Sequence, residues 1–274
     1  MRPFTRRRGV LNIAHRGGAG ERPESTLLAF RHALEAGSDL LELDVHLTAD
    51  ATLIVCHDAD LFRIAGEKLL LSQLSTAEIQ SIDAGANWVA PDAPEGTDPP
   101  YRGAGLYLPT LEEIFAALPE AQINVDIKVE DPRAATETAR LIRSFRREER
   151  TAVASFLPGQ LRRFRRLAPE IVTSAHPGDV RLFFAMSRLG VAGFLGNRVA
   201  YLQIPEYHGN LRLLDRGFLL QAHRAGREVH VWTVNEPGEM RRLVDLGVDG
   251  IVTDYPSRLT AILEGGGKGR TGEQ

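Results

Sequence analysis

A recurring pattern of helix-ending glycines constrains the fold of this 274-residue chain more than any other feature. An apolar helical pattern ends in a glycine shortly before a predicted strand at Ala36-Gly37, Leu189-Gly190, Ala225-Gly226 and Leu246-Gly247. Glycine suits these positions because it adopts the left-handed backbone that ends a helix without steric cost. Such regular alternation of helix and strand is typical of a mainly parallel α/β sheet.

The hydrophobic pattern predicts strands at residues 10–14, 39–45, 52–56, 121–128, 151–155, 171–175, 192–195 with a continuation at 199–204, 228–234 and 250–253. Capping boxes at Ser75-Thr76-Ala77-Glu78 and Thr110-Leu111-Glu112-Glu113 predict two helix starts. Asp131-Pro132 predicts a third, for a helix that runs to about Arg147. Residues 58–105 break this rhythm, and we interpret them as a small insertion.

About eight parallel strands in roughly 250 residues are typical of a (β/α)₈ TIM barrel, and a doubly wound open sheet is the alternative. The positions of the polar residues favour the barrel because they end many different strands, as do His15-Arg16, Glu42 and Asp44, Asp126 and Lys128, Ser155, Gln203, Trp232 and Asp254. We therefore predict one barrel domain over residues 1–264, with the insertion after the second strand and a flexible tail at 265–274.

Composition excludes several classes of protein. A hydrophobic fraction of 43%, a charged fraction of 25% and a net charge of −3 describe a globular protein, without the basic stripe of a nucleic-acid binder. We interpret Arg6-Arg7-Arg8 as a solvated arm, and Cys56, the only cysteine, allows no intramolecular disulfide. No apolar run reaches the ~20 residues of a membrane span, and the N-terminus lacks the apolar core of a signal peptide. A cytoplasmic enzyme without stable membrane insertion is expected, and its oligomeric state is left open.

Three carboxylates predict a metal site. Glu42 and Asp44 are two residues apart in an apolar strand, so both project from one face, and Asp126 ends a later strand in the same way. Holding like charges together in a buried strand is costly unless a cation lies between them. Oxygen ligands favour Mg²⁺ or Ca²⁺. The alternative for the first pair is a salt-bridged or exposed strand edge.

Basic residues and histidines at the same strand ends suit phosphodiester cleavage. Arg16 and Lys128 are donors for phosphate oxygens, while His15 and His57 can act as general base and general acid near neutral pH. Trp232 is either a core residue or a substrate platform. The remaining histidines are interpreted as structural: His32, His46, His176, His208, His223 and His230.

Ordered motifs extend over residues 11–258: Ile13-Ala14-His15-Arg16-Gly17-Gly18, Pro23-Glu24-Ser25-Thr26, Glu42-Leu43-Asp44-Val45, His57-Asp58, Pro109-Thr110-Leu111-Glu112-Glu113, Asp126-Ile127-Lys128, and Val231-Trp232-Thr233-Val234-Asn235 through Asp249-Gly250-Ile251-Val252-Thr253-Asp254-Tyr255-Pro256. Their order resembles the signature of the glycerophosphodiester phosphodiesterase family. The resemblance implies a TIM barrel, metal binding by Glu42, Asp44 and Asp126, and roles for His15 as base and His57 as acid. We add Gln203 and Trp232 to the substrate-binding residues, and Glu24 as a residue behind the site.

The family implies hydrolysis of a small glycerophosphodiester to glycerol 3-phosphate and an alcohol. Ser25 departs from the family's usual Asn, and we interpret it as a helix cap rather than a site residue. Asp126 in place of Glu, with Asp83-Ala84-Gly85 and Gln203-Ile204-Pro205, is similar to the branch that acts on lysophospholipids and N-acyl phosphoethanolamines. The alternatives are therefore a lysophospholipase D-type enzyme, a non-catalytic phosphate-binding barrel, and a lyase-like relative that stops at a cyclic phosphate.

Overall fold

The structure is a computed structural model that describes residues 4–190 and 199–265. Its strands, in chain order, are β1 Leu11–Ala14, β2 Leu40–Leu47, β3 Leu53–Val55, β4 Asp60–Leu61, β5 Glu67–Leu70, β6 Ile123–Ile127, β7 Thr151–Ala154, β8 Thr173–Ser174, β9 Val199–Ile204, β10 Tyr207–His208, β11 Leu211–Arg212, β12 Glu228–Val231 and β13 Gly250–Thr253. The predicted strand at 192–195 lies outside the described residues.

Eight of these strands form a closed parallel barrel. They follow the order β1-β2-β6-β7-β8-β9-β12-β13, and β13 pairs in parallel with β1 to close the ring. β3 pairs antiparallel with the end of β2, from Val45 opposite Val55 to Leu47 opposite Leu53. The predicted (β/α)₈ barrel is confirmed, and the open-sheet alternative is excluded because the sheet closes on itself.

The helices of the described residues are α1 Leu27–Glu35, α2 Phe62–Ala65, α3 Thr76–Gln80, α4 Leu111–Ala117, α5 Pro132–Ser144, α6 Pro158–Leu167, α7 Pro177–Arg188, α8 Arg216–Arg224, α9 Pro237–Leu246 and α10 Pro256–Gly265. Both predicted capping boxes, at Ser75 and Thr110, are present. Among these helices none combines the length and apolarity that crossing a membrane requires.

Strand alternation separates core from site on β2. Leu41, Leu43 and Val45 face outward and belong to the buried cluster that includes Phe30 of α1 and Phe115 of α4. The residues between them, Glu42 and Asp44, therefore face the inside of the barrel. Burying apolar side chains against the helices fixes the register that holds the two carboxylates together.

The segment that follows β3 packs against the barrel through an apolar cluster of its own. Ile54 and Cys56 of the barrel side contact buried side chains from the segment, which are Leu61, Ile64, Leu71, Ile79, Ala84 and Leu108. Burial raises the pKa of the Cys56 thiol to about 12, so this cysteine is an unreactive core residue.

The solvated arm predicted at Arg6-Arg7-Arg8 is wrong for two of its three residues. Arg6 pairs with Glu228 and Asp249, and Arg8 pairs with Glu264, while Arg7 remains 59% exposed. The physical reason is that carboxylates at the starts of β12 and β13 neutralise Arg6, and a carboxylate near the end of α10 neutralises Arg8. Of the predicted tail at 265–274, Gly265 ends α10 and residues 266–274 lie outside the described part of the chain.

Candidate active site

Three carboxylates meet inside the barrel near the carboxyl ends of β2 and β6. Parallel pairing sets Asp44 opposite Asp126, and Glu42 projects from the same face of β2. Each of the three offers an oxygen atom within 4.8 Å of the others, and all three side chains are buried. The structure thus brings together the whole predicted metal-ligand set.

The cluster has the free ligand atoms that a hard divalent cation requires. Among the described residues, Asp44 Oδ2 and Asp126 Oδ1 are buried without a hydrogen-bond partner. Burial and the neighbouring charge of Asp44 raise the pKa of Glu42 to about 7, and burial raises that of Asp126 to about 6. A divalent cation would satisfy these oxygens and relieve their mutual repulsion, so the residues fit Mg²⁺ or Ca²⁺.

Two basic residues border the cluster. Lys128 Nζ lies 2.9 Å from Asp44 Oδ1 and 2.7 Å from Asp126 Oδ2. The Arg16 backbone N–H donates to Glu42 Oε2 over 3.1 Å, and its Nε lies 3.7 Å from Asp44 Oδ2. Arg16 has a left-handed backbone with φ of 52°, in the turn directly after β1. Both cations therefore lie where a phosphate beside the carboxylates would meet them.

His15 is held by a carboxylate from the last strand of the barrel. Its Nδ1 lies 2.7 Å from Asp254 Oδ1, and Asn235 donates to the other Asp254 oxygen over 2.7 Å. Burial alone would lower the pKa of His15, but the hydrogen bond to Asp254 and the charge of Glu42 outweigh it and raise the pKa. Asp254 accepts a hydrogen bond from the Nδ1–H group. The Nε2 atom of the neutral ring is therefore the one that can accept a proton from the substrate.

His57 is held in the same way from the loop after β3. Its Nδ1 lies 2.7 Å from Asp58 Oδ1, and its backbone carbonyl accepts a hydrogen bond of 3.0 Å from His46 Nε2. Burial lowers the pKa of His46, which keeps this ring neutral and able to donate. The sequence interpretation of His46 as structural overlooked this contact, because nothing in the local pattern links residue 46 to residue 57.

Glu24 lies behind Arg16, as predicted. Arg16 Nη1 donates to Glu24 Oε1 over 3.3 Å, and the same carboxylate accepts from Arg63 Nη2 over 2.8 Å. Ser25 does not cap α1, and that expectation is wrong. Thr26 is the N-cap and accepts from Ala29 N, whereas Ser25 has φ of 60° and its buried Oγ has no partner among the described residues.

A cavity of about 520 Å³ opens beside the carboxylates and is lined by three of the four predicted substrate-binding residues; the fourth, Arg16, is not part of its lining. His15, His57, Lys128, Gln203 and Trp232 all line it. Trp232 packs edge-on against Phe156 at 5.9 Å, so it forms part of the cavity wall. A cavity of about 630 Å³ elsewhere, lined by residues such as Asp39 and Glu120 that precede strands, contains none of these side chains.

Comparison with known proteins identifies the relatives of this chain. The family model described as the glycerophosphoryl diester phosphodiesterase family matches residues 15–258. A lysophospholipase D GDPD1 of Rattus norvegicus is 30% identical over 92% of this chain and 85% of its own length. A glycerophosphodiester phosphodiesterase of Bacillus altitudinis is 31% identical over 92% of this chain and 97% of its own.

Solved structures show the same fold. The glycerophosphodiester phosphodiesterase of Agrobacterium tumefaciens superposes with a TM-score of 0.74 at 24% identity, covering 92% of this chain and 99% of its own. An Oleispira antarctica phosphodiesterase in complex with the product sn-glycerol-3-phosphate gives 0.72 at 23% identity, covering 92% and 96%. The chain therefore belongs to the glycerophosphoryl diester phosphodiesterase family and is a phosphoric diester hydrolase.

Proposed function

We propose that this enzyme hydrolyses glycerophosphodiesters to glycerol 3-phosphate and an alcohol, with a divalent cation, Mg²⁺ or Ca²⁺, at Glu42, Asp44 and Asp126. One observation carries the proposal: two histidines, each fixed by its own carboxylate, line one cavity with Lys128 and with Glu42 and Asp126, two members of the three-carboxylate cluster. The Bacillus altitudinis relative, named a glycerophosphodiester phosphodiesterase, and the product complex of the Oleispira antarctica structure support the same substrate class.

The charged residues would hold the phosphate. A cation bound to the three carboxylates supplies positive charge that lowers the pKa of a nearby hydroxyl and polarises a phosphoryl oxygen. Arg16 offers a planar fork and Lys128 a compact point charge to the remaining oxygens. Gln203 and Trp232 line the wall that the glycerol moiety would contact. Glu24 orients Arg16 through the hydrogen bond to its Nη1.

The histidines would transfer the protons in two steps. In the first step His15 Nε2 removes the proton of the glycerol 2-hydroxyl, and that oxygen attacks phosphorus. The bond from phosphorus to the leaving alcohol breaks as His57 protonates the departing oxygen. The product is a five-membered cyclic phosphate. In the second step His57 removes a proton from water, whose oxygen attacks phosphorus, and the bond from phosphorus to the 2-oxygen breaks as His15 protonates that oxygen, giving glycerol 3-phosphate and restoring both histidines. Holding the attacking hydroxyl on the substrate itself supplies the proximity that a free water lacks.

The test is turnover of glycerophosphocholine and glycerophosphoethanolamine by wild type, His15→Ala and His57→Ala, followed by phosphorus NMR. Each variant should lose about 10²- to 10⁴-fold in kcat, while the melting temperature stays within a few degrees. Unfolding of either variant where wild type is intact would assign that histidine a structural role. Accumulation of cyclic phosphate as the end product would indicate a lyase, and only absence of wild-type turnover on both diesters and on lysophosphatidylcholine would favour a phosphate-binding barrel.

Internal attack makes a separate demand on the substrate. A diester that lacks the 2-hydroxyl should bind with similar affinity but turn over at least about 10²-fold more slowly, because the nucleophile is missing. Comparable kcat for the 2-deoxy analogue and the natural diester would indicate direct attack by water with the same residues.

The cavity also favours a second candidate, a lysophospholipid. Beyond the catalytic cluster its walls are largely apolar: Phe156, Ala175, Pro177, Val180, Phe184, Ile204, Pro205, Leu211, Leu213 and Trp232. These residues come from β7 to β12 and their loops, and none of them belongs to the inserted segment that contains Asp58. Because His57 would protonate the leaving alcohol, we place the acyl chain on the retained glycerol. The relative named lysophospholipase D GDPD1 supports this candidate.

Two matched substitutions test the acyl site. Leu211 lines the cavity and is 50% exposed, whereas Leu220 on α8 is outside it and 49% exposed. Leu211→Glu should raise KM for lysophosphatidylcholine several-fold and leave glycerophosphocholine unchanged, because a charge in the acyl path costs about 1 kcal/mol or more. Leu220→Glu should leave the KM for both substrates unchanged. Equal effects of Leu211→Glu on both substrates would remove the acyl chain from the proposal.

We also propose that residues 1–264 act as one barrel domain and that the enzyme works in the cytoplasm. The apolar cluster that joins the inserted segment to Ile54 and Cys56 supports the single domain. The lone, buried Cys56 is consistent with a reducing compartment. Limited proteolysis tests the single domain, and early excision of residues 58–105 as a stable fragment would contradict it. Cell fractionation tests the location, and activity confined to an extracellular fraction would contradict it.

A further inference from the structure

Arg63, on the short helix α2 that follows His57 and Asp58, links two parts of the site. Its Nε donates to Asp58 Oδ2 over 2.6 Å, and its Nη2 donates to Glu24 Oε1 over 2.8 Å. Glu24 comes from the loop after β1, 39 residues before Arg63 in sequence, so Arg63 connects that loop to the one that contains Asp58. A planar guanidinium with a rigid fork suits this bridge, because it meets two carboxylates at once.

Arg63 contacts His57 indirectly, through Asp58. Asp58 uses Oδ1 for His57 Nδ1 and Oδ2 for Arg63 Nε, so both oxygens of one carboxylate are engaged. Burial alone would raise the pKa of Asp58, but the hydrogen bonds from His57 and Arg63 and the charge of Arg63 lower it. The His57 backbone carbonyl is fixed independently by His46. The ring orientation therefore depends on Asp58, and the position of Asp58 depends on Arg63.

We propose that Arg63 is a positioning residue: it anchors Asp58 to Glu24 so that His57 presents Nε2 to the oxygen of the leaving alcohol. The inference rests on the proposed function, in which His57 is the general acid. It assigns the inserted segment a part in catalysis, since α2 supplies the arginine. Arg63 does not touch the substrate in this account, and it acts through Asp58.

If Arg63 only stabilised the fold, its loss would lower the rates on all substrates equally. The Arg63 side chain is 46% exposed, but Glu24 is only 11% exposed and the two side chains form a bidentate pair, so loss of Arg63 should also lower stability. The rates are therefore compared at a temperature where each variant is folded. A defect in protonating the leaving oxygen has a specific signature, because it disappears when the leaving group is stable as an anion.

The experiment compares glycerophosphoethanolamine with the p-nitrophenyl diester of glycerol 3-phosphate, whose leaving group needs no proton. Arg63→Ala should lower kcat about 10- to 100-fold on the first substrate and less than about 3-fold on the second. Arg63→Lys should recover only part of the loss, since an ammonium cannot reproduce the fork. The matched control is Arg143→Ala, which removes an arginine of the same 46% exposure that pairs with Glu170, outside the cavity lining, and should change neither rate.

The outcomes separate this inference from the function on which it rests. An equal loss on both substrates, or no loss on either, would overturn the positioning role. His57→Ala measured on the same pair of substrates tests the acid itself. If His57→Ala also shows no dependence on the leaving group, the proposed function fails; if it shows the dependence and Arg63→Ala does not, the assignment of Arg63 alone fails.

Discussion

Each catalytic histidine of the proposed mechanism has an aspartate on its Nδ1. Asp254 is supplied by the end of the last barrel strand and Asp58 by the residue next to His57, yet both hydrogen bonds measure 2.7 Å. A carboxylate on Nδ1 selects the tautomer and orientation in which Nε2 faces the reacting atoms. The site therefore consists of two oriented acid–base pairs beside one metal-ligand cluster.

Replacing Asp254 tests this arrangement for His15. Asp254→Asn should lower kcat by about 10²- to 10⁴-fold, because the amide can hold the ring in the wrong tautomer. Removing the carboxylate also lowers the pKa of His15, so the acidic limb of the kcat/KM profile should move to lower pH. A pH–rate profile of wild type and variant measures both effects. An unchanged rate would show that His15 needs no partner.

The raised pKa values of the metal cluster predict how cation binding depends on pH. The pKa is about 7 for Glu42 and about 6 for Asp126 in the folded protein. Both carboxyl groups therefore remain protonated in the folded state at pH values where they are ionised in the unfolded chain. Their contribution to the stability of the metal-free protein is therefore lost as pH rises through these values.

A divalent cation replaces the lost protons, so the gain in melting temperature at a fixed Mg²⁺ or Ca²⁺ concentration should be larger at about pH 8 than at about pH 5.5. Differential scanning fluorimetry with and without cation measures the gain. Glu42→Gln is the control, because it should remove most of the gain at both pH values. An equal gain at both pH values would contradict proton competition.

The residues that carry the chemistry were predictable where a strand period or a strand end indicated them. Glu42, Asp44 and Asp126 follow from the alternation of a buried strand and the register of its neighbour. The partner contacts of Asn235, His46 and Arg63 were not predicted, because each joins residues 5 to 39 positions apart that no local sequence pattern links. Ser25 was misread because a serine and the threonine after it are both good caps, and only the backbone geometry decides between them.

At the scale of the element, helix starts were the most predictable features because their signals are local. Thr110 Oγ1 accepts from Glu113 N over 3.1 Å, and Glu113 Oε2 accepts from Thr110 N over 2.7 Å, as the sequence pattern requires. Helix ends were less predictable. The helix α5 stops at Ser144 rather than near Arg147, because Arg146 turns to φ of 53° and the Arg147 guanidinium donates to the carbonyls of Leu118 and Pro119.

Loss of one capping box gives a prediction for α4. Thr110→Ala should lower the free energy of unfolding by about 1–2 kcal/mol, since the Glu113 N–H loses its acceptor at a buried position. The helix lies outside the cavity, so kcat should not change. Urea unfolding and a turnover assay check the two statements. A large loss of kcat with unchanged stability would show that α4 positions the site.

At the scale of the whole molecule, the barrel separates stability from chemistry. The side chains of the site lie at the carboxyl ends of the strands, and the N-terminal segment covers the opposite end. Phe4 is buried, stacks on Tyr201 at 5.4 Å, and belongs to a cluster with Leu11 and Leu40, the first residues of β1 and β2. The alternating pattern predicted the barrel. It did not predict that the N-terminal segment packs on it, because the acids that bind Arg6 in that segment come from distant strands.

The covered end predicts a variant that affects stability without affecting catalysis. Phe4→Ala should lower the free energy of unfolding by about 3 kcal/mol, since it removes a buried ring and leaves a gap above Tyr201. The kcat at a temperature where the variant is folded should equal that of wild type. Arg7→Ala is the control, because its side chain is mainly exposed and its loss should cost little. A fall in kcat for folded Phe4→Ala would connect the two ends of the barrel.

We propose above all that the three buried carboxylates act through a divalent cation in glycerophosphodiester hydrolysis. Phosphorus NMR of glycerophosphocholine turnover by the exhaustively chelated enzyme, before and after addition of Mg²⁺ or Ca²⁺, tests this role. We expect no turnover after chelation, recovery of glycerol 3-phosphate formation when either cation is added, and no recovery for Glu42→Gln. Full turnover by the chelated enzyme would show that hydrolysis needs no cation at these carboxylates.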